Sequence, residues 1–397
     1  MNDTALPVPS RGFDEAEFTH RCASIQKTMR EQTIDILWLS TQADIQYLTG
    51  FITPFWQSPT RPWYLLLPQS GKPVAVIPSI GQACMQRTWV TDIRTWSSPD
   101  PFDDGVTLLV DSIRELSGPT PCIGVPMARE THVRACLNDQ LAIRSALAGA
   151  VWVDSSAAIR SARHIKSKAE IDKLSFICEV TSRTFAQVPD IIHTGMTEAE
   201  AFRAFKVACL RNGADDCAYL VGASRVNGYE DIISPPGDQA ISAGDVLILD
   251  TGCIFDGYYA DFDRNFAFKH VDNATQEAHQ RVWDATESGL ACIKPGVRCS
   301  DVFHAMNSIM LSDDDSASTE SASVGRMGHG LGIELTETPS LAAFDETVLQ
   351  EGMVITLEPS LGYSPGKMMV HEENIVITAN GYDMLSQRAP RDIPIIT

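Results

Sequence analysis

Five side chains in the second half of the chain have the types and settings for divalent-cation chemistry: Asp250, Asp261, His329, Glu358 and one of the neighbours Glu372 and Glu373. Asp250 ends the apolar run Val246-Leu247-Ile248-Leu249 and is followed by Thr251-Gly252. Asp261 returns eleven positions later, within Tyr258-Tyr259-Ala260-Asp261-Phe262-Asp263-Arg264. Paired strands lie about 5 Å apart, so a hairpin over these segments brings both carboxylates to one point. Two carboxylates in apolar surroundings repel each other and need a cation or a shared proton. Gly328-His329-Gly330, Leu357-Glu358-Pro359 and His371-Glu372-Glu373-Asn374 add His329 as an imidazole donor and two or three further acids, each in apolar or Gly-rich sequence. Taken singly, Asp250 reads equally as a strand-end turn residue and Glu358 as an exposed edge residue. Together the five form a ligand set for two hard-to-borderline divalent ions. Four carboxylates to one imidazole favour Mn, Co or Fe over a thiolate-type zinc site. Glu372 and Glu373 compete for one place, because strand alternation lets one of them face the site.

The order and spacing of these segments resemble the pita-bread metallohydrolases of peptidase family M24: methionine and Xaa-Pro aminopeptidases, prolidase and creatinase. The resemblance is carried by Asp250-x-Gly252, Asp261 with Arg264, Gly328-His329-Gly330-Leu331-Gly332, Glu358-Pro359, and Glu372 ahead of Asn374-Ile375-Val376-Ile377-Thr378. Tyr47-Leu48-Thr49-Gly50 and Lys166-Ser167 extend it over nearly the whole chain. It implies an α/β (α+β) fold, with an N-terminal creatinase-like α/β domain followed by a C-terminal pita-bread domain. It also selects Glu372 over Glu373, since the family's ligand precedes an acidic or amide residue and a Val/Ile run. In the implied mechanism Asp250 and Glu372 would bridge or chelate both ions, Asp261, His329 and Glu358 would hold them singly, and a water activated between the ions would attack an sp² carbon.

The elements that must position these residues follow from periodicity. The length of 397 residues suits two domains, with expected limits of 1–156 for the first, 157–167 for a linker and 168–397 for the catalytic domain. In the first half, residues 14–32 place Phe18, Cys22, Ile25 and Met29 on one helical face. Strands are expected at 35–39, 63–68, 73–78, 122–125 and 151–154. Helices are expected at 43–48, 104–116, 130–141 and 157–164. Residues 69–72 join two of the strands as a hairpin, and the alternation of strands with helices indicates a layered α/β domain. In the second half, helices are expected over 168–188, from Thr197 to about 210, over 273–291 and over 300–310. Thr197 followed by Glu198 and Glu200 suits a capped helix start. Residues 312–323, rich in Ser and Asp, read as a surface loop and a candidate lid ahead of His329.

Composition excludes several classes of function. Apolar residues make up 44% and charged residues 21%, ordinary for a globular protein. A formal charge of -20 argues against nucleic acid and anionic membrane surfaces as partners. Ten cysteines without a Cys-x-x-Cys spacing imply neither a zinc knuckle nor a disulfide framework, and fit reduced thiols in the cytoplasm. Residues 1–13 lack the apolar core of a signal peptide, and no apolar run approaches the ~20 residues that span a bilayer.

Departures from the family bear on the substrate. Peptidases of this fold carry a His ahead of the first Asp ligand and another seven residues after the metal His. Here 228–236 holds no His, and the second position is Thr336. An Arg that often stands two residues before the last Glu is Val370. Glu230, Asp231, Glu337 and His371 are the nearby titratable substitutes. The candidate catalytic residues are therefore Glu337, Thr336, Glu230 and Arg61. Arg61 lies in the aromatic and Pro-rich stretch of residues 55–63. The resemblance implies a homodimer in which the first domain of one chain reaches the rim of the other chain's site; the composition of residues 55–63 then makes Arg61 a candidate clamp for a substrate carboxylate there, against the alternative of a solvated turn charge beside core tryptophans. The expected function is metal-dependent hydrolysis of a C–N, amide-type bond in a small or dipeptide-like substrate. Two alternatives stay open: a non-peptidase enzyme cleaving a C–N or C–S bond, as creatinase and a dimethylsulfoniopropionate lyase do, and a non-catalytic binding module.

Overall fold

The structure is a computed structural model that describes residues 6–58, 61–311 and 325–397. Two compact units make up the chain, one of residues 10–163 and one of residues 164–397 together with residues 1–9. The division falls inside a helix, between Arg163 and His164. Residues 312–323, read from the sequence as a candidate lid, lie outside the described residues.

The first unit contains α1 (Glu15–Glu31), β1 (Ile36–Leu39), α2 (Gln42–Thr49), β2 (Tyr64–Pro68), β3 (Val74–Pro78), α3 (Gln82–Met85), β4 (Asp92–Trp96), α4 (Val106–Ser117), β5 (Cys122–Val125), α5 (Leu137–Ala146) and β6 (Val151–Asp154). Helix α6 (Ser156–His164) follows them. The strands form one sheet in the order β4-β3-β2-β1-β5-β6, with β1, β2 and β3 antiparallel and the outer pairs parallel. Phe18, Cys22, Ile25 and Met29 of α1 are all buried, as their spacing requires.

The helix expected over 130–141 instead begins at Leu137. Tertiary contacts hold the preceding segment extended. The Arg134 N–H donates to Ser40 Oγ at 2.8 Å, and its guanidinium reaches the Arg61 and Ser58 carbonyls at 2.9 and 2.5 Å. Glu130, at φ 60°, also interrupts any helix there.

The second unit runs through α7 (Lys168–Ala186), α8 (Val188–Ile191), α9 (Glu198–Asn212), β7 (Asp216–Val221), β8 (Ser224–Val226), β9 (Asp245–Phe255), β10 (Tyr258–Tyr259), β11 (Phe262–Phe268), α10 (Asn273–Cys292) and α11 (Cys299–Met310). It continues with β12 (His329–Gly330), β13 (Glu337–Ser340), β14 (Val354–Leu357), β15 (Ser360–Ser364), β16 (Lys367–Val370), β17 (Glu373–Thr378), β18 (Gly381–Met384) and β19 (Ile395–Ile396). Capping boxes open α7 at Ser167/Glu170 and α9 at Thr197/Glu200. Strand β9 is the hub of one sheet, pairing with β7, β8, β10 and β11. A second, antiparallel sheet has the order β13-β12-β14-β17-β18.

Both faces of β9 are buried, which is why its sequence is a continuous apolar run rather than an alternating one. Leu247, Leu249, Phe262 and Phe266 pack into a core with Ile177, Phe185 and Phe205 of α7 and α9. Val246, Ile248 and Ala267 join a second core with Val282, Met306, Ile355 and Ile375. Period-2 alternation therefore puts Asp250 on the face of Val246 and Ile248. Among the described residues no helix is long and apolar enough to cross a membrane.

Candidate metal centre

All five acidic or imidazole residues singled out above sit in strands or one residue beyond a strand end, where backbone pairing fixes them. Asp250 lies in β9, Asp261 immediately before β11, His329 in β12, Glu358 immediately after β14 and Glu372 immediately before β17. Ligand atoms of Asp261, His329 and Glu372 all lie within 4.8 Å of one another, and all three residues are buried. His329 Nε2 is 3.5 Å from Asp261 Oδ2 and 3.8 Å from Glu358 Oε1. The other ring nitrogen, Nδ1, is 2.9 Å from the Gly330 carbonyl, which can only accept. That contact puts the proton on Nδ1 and leaves the Nε2 lone pair facing the acids. Burial holds the imidazole neutral, with its pKa lowered to about 4.

Backbone clamps keep the acids in place. The Asn374 side chain accepts from the Asp261 N–H at 2.9 Å and donates back to the Asp261 carbonyl. Arg264 donates to the carbonyls of Asp263 and Glu372 at 2.6 and 2.8 Å, joining the two sheets at their acid-bearing ends. Thr356 Oγ1 donates to Glu372 Oε1 at 2.5 Å. Two glycines are required by close approach: a Cβ on Gly328 or Gly330 would lie 2.2 or 2.3 Å from the Thr356 or Thr338 carbonyl oxygen.

Glu373 departs the other way. It is fully buried, and its carboxylate accepts from Arg264 Nη2 at 2.9 Å, Arg388 Nη1 at 3.0 Å and the Ala389 N–H at 2.9 Å. His371 shares that side, with Nε2 2.8 Å from Arg388 Nη1 and Nδ1 3.2 Å from Thr286 Oγ1.

Two residues to which sequence patterns assign no role complete the cluster. Asp263 is the direct cross-strand partner of Asp250 and is buried. Tyr219 of β7 hydrogen-bonds the Asp250 carboxylate, and burial followed by the charges of Asp250, Asp261 and Glu372 raises its phenol above the ordinary range. The signal for Asp263 was its two-residue spacing from Asp261. Tyr219 is visible once the β7–β9 register is known.

Burial drives the acids upward. Asp250 and Glu358 rise to about 7, while Asp261, Asp263 and Glu372 rise well above the ordinary carboxylate range, with repulsion from neighbouring acids adding to desolvation. Arg326 beside Asp261 and Glu358, and Arg264 beside Asp263, offset only part of this. Oδ1 of Asp250 and Oδ1 of Asp263 have no hydrogen-bond partner. Oxygen-rich, uncompensated and closed around one aimed imidazole nitrogen, the donor set fits hard-to-borderline divalent ions.

The remaining candidates are placed differently. Glu337 is buried, bound to Lys166 Nζ at 3.1 Å and accepting from the Ile333 and Glu334 N–H groups at 3.1 and 3.2 Å. Thr336 and Glu230 are exposed. Arg61 belongs to the first unit, where its guanidinium lies 5.2 Å from the Phe55 ring centroid. Trp56 and Trp63 beside it are core residues of that unit.

Comparison with known proteins decides the family. The pattern of metallopeptidase family M24 matches residues 172–379. The chain belongs to metallopeptidase family M24. A creatinase/prolidase N-terminal domain matches residues 21–165. Similar proteins include an uncharacterized peptidase of Staphylococcus saprophyticus, 26% identical over 91% of this chain and 97% of its own. Another, from Staphylococcus aureus, is 24% identical over 92% of this chain and 98% of its own. The recombinant prolidase of Thermococcus sibiricus superimposes with a TM-score of 0.84 at 22% identity, covering 97% of this chain and all of that one. Dipeptidase PepE from Mycobacterium ulcerans gives 0.82 at 24% identity, covering 98% of this chain and all of that one. The M24 assignment makes the chain a hydrolase of the metallopeptidase type, with the α/β architecture and creatinase-like first domain expected from its sequence.

Proposed function

We propose that this protein uses two divalent ions, held by Asp250, Asp261, His329, Glu358 and Glu372, to hydrolyse a C–N, amide-type bond in a small, dipeptide-like substrate. The observation that carries the reading is the convergence of Asp261, His329 and Glu372 within 4.8 Å. Bound there, the ions would supply an acidified water and Lewis-acid polarisation of the scissile group. The chain's own residues do the rest. Asn374 and Arg264 fix the carboxylate-bearing backbone, Gly330 fixes the His329 tautomer, and Tyr219 orients Asp250. Mn, Co or Fe suits this oxygen-rich set better than Zn. Metal analysis of protein purified without chelator and supplied with Mn²⁺, Fe²⁺ and Co²⁺ tests the reading; protein that retains none of them would sink it.

Relatives of this fold named dipeptidase and prolidase favour a dipeptide-like substrate. One observation favours a second reading, a non-peptidase C–N or C–S cleaving enzyme. Thr336 is exposed, Glu337 is committed to Lys166, and residues 228–236 offer no imidazole to a developing oxyanion. A missing donor of that kind costs ~10²–10³ in rate. Turnover of Ala-Pro or Gly-Pro near ~10 s⁻¹ would favour the dipeptidase; trace turnover, raised by Thr336→His, would favour the other.

The reading also includes a homodimer in which Arg61 of each chain serves its partner's site. Hybrids of Arg61→Ala and Asp250→Asn chains should contain one intact site and regain activity that neither homodimer shows. Hybrids shown to form without that recovery would remove Arg61 from the partner's site.

A further inference from the structure

Three cysteines converge in the second unit, on the opposite face of β9 from the acids. Cys209 comes from α9, Cys217 from β7 and Cys253 from β9, and their sulfur atoms all lie within 4.8 Å of one another. The three are free thiols with exposures of 0%, 3% and 0%. Cys217 and Cys253 are direct cross-strand partners, and Cys209 caps them from the helix. A fourth donor is present. Thr251 Oγ1 lies 3.3 Å from Cys217 Sγ and 3.6 Å from Cys253 Sγ, and it donates to the Tyr219 carbonyl at 3.2 Å, which keeps its lone pairs free.

These distances match the edges of a small tetrahedron. With Zn–S near 2.3 Å and Zn–O near 2.1 Å, a tetrahedral ion sets S···O edges of about 3.6 Å and S···S edges of about 3.8 Å. Sulfur atoms within 4.8 Å need move by no more than about an ångström to reach them. Three thiolates and a hydroxyl select a borderline-to-soft ion and give nothing to Mg²⁺ or Mn²⁺. A divalent ion with three thiolates leaves a single negative charge.

We propose that Cys209, Cys217, Cys253 and Thr251 form a second metal site, a structural Zn²⁺ site that ties the end of α9 to β7 and β9. Each thiol that binds gives its proton to solvent. The proposal is independent of the hydrolase reading, because it uses none of the same side chains.

The test uses the full chain, reduced, stripped with chelator and titrated with Co²⁺. Cobalt at the acid cluster has no sulfur ligand, so a thiolate-to-cobalt charge-transfer band reports this site alone. The expected result is a saturable band whose limiting amplitude corresponds to one cobalt per chain and which is displaced by Zn²⁺, persists in Cys136→Ser and is lost in Cys217→Ser and Cys209→Ala. Zn²⁺ affinity in those two variants should fall by more than the roughly 10–100-fold that loss of an outer-shell partner costs. Absence of the band in the wild type, or its persistence in both variants, overturns the site and leaves the cysteines as core filling. Should neither variant fold, X-ray absorption of wild-type protein carrying Zn²⁺ at this site decides: three sulfurs support it, and a shell of nitrogen and oxygen overturns it.

Discussion

The carboxyls of Glu372 and Glu373 leave adjacent backbone positions in opposite directions, and their partners give them different work. Glu372 meets Asp261 and His329, whereas Glu373 is enclosed by Arg264, Arg388 and a backbone N–H. Glu372→Gln should leave the fold intact and lower bound Mn²⁺. Glu373→Gln should instead destabilise the protein by about 3–5 kcal/mol, the cost of breaking a buried pair from one side. Metal content and denaturant unfolding of the two variants read the contrast; equal metal loss without destabilisation in Glu373→Gln would exchange their roles. Tyr219 belongs to the same argument. Its hydrogen bond orients Asp250 without offering a ligand of its own, so Tyr219→Phe should weaken Mn²⁺ binding by ~10–100-fold, as loss of an outer hydrogen-bond partner does. An unchanged titration would mean that Asp250 holds its position without the phenol.

At the scale of elements, the hairpin was legible because its physics is local. An apolar run ending in Asp250, a turn and a return bearing Asp261 describe β9 and β11 from the sequence alone. The amphipathic helices α1, α7 and α9 were legible for the same reason. What escaped was whatever depends on partners distant in sequence. Residues 131–136 stay extended because Ser40, Ser58 and Arg61 anchor Arg134, and no pattern within that stretch announces those contacts. Tyr219 and Asp263 escaped because their roles follow from the register of β7 and β11 on β9. The cysteine cluster escaped because its members come from three elements with no motif spacing. The glycines around His329 are the reverse case, since a glycine on each side of one residue is itself a mark of close backbone approach. Gly328 has φ 146°, and a methyl group there would meet backbone oxygen before any movable side chain. Gly328→Ala should therefore cost on the order of 1–3 kcal/mol from backbone strain alone, with displacement of β12 adding to it. A thermal midpoint and metal affinity both equal to wild type would show that β12 has room which the geometry denies.

For the whole molecule, the acid cluster is a stability liability whose sign can be worked out. Asp250 and Glu358 have folded-state pKa values of about 7 against ordinary values of 3.8 and 4.5, and Asp261, Asp263 and Glu372 are also raised. Below about pH 3 these groups are protonated whether the chain is folded or not, so they cost nothing. As pH rises towards 7 the unfolded chain gives up their protons first, and the metal-free fold loses stability relative to it. His329 and His279, each lowered from 6.5 to about 4, and His371, lowered further, act in the opposite sense, three groups against five acids. Divalent ions replace the protons, so the benefit of metal should grow over the same interval. Ligand at 100 times its dissociation constant stabilises by about 2.7 kcal/mol. The gap between the thermal midpoints of Mn²⁺-loaded and chelator-treated protein should therefore be small near pH 4 and widen steadily to pH 7. Subtracting the two curves cancels the surface carboxylates, which titrate alike in both forms. A gap that stays constant with pH, or never opens, would mean that the acids satisfy one another by sharing protons rather than by holding ions.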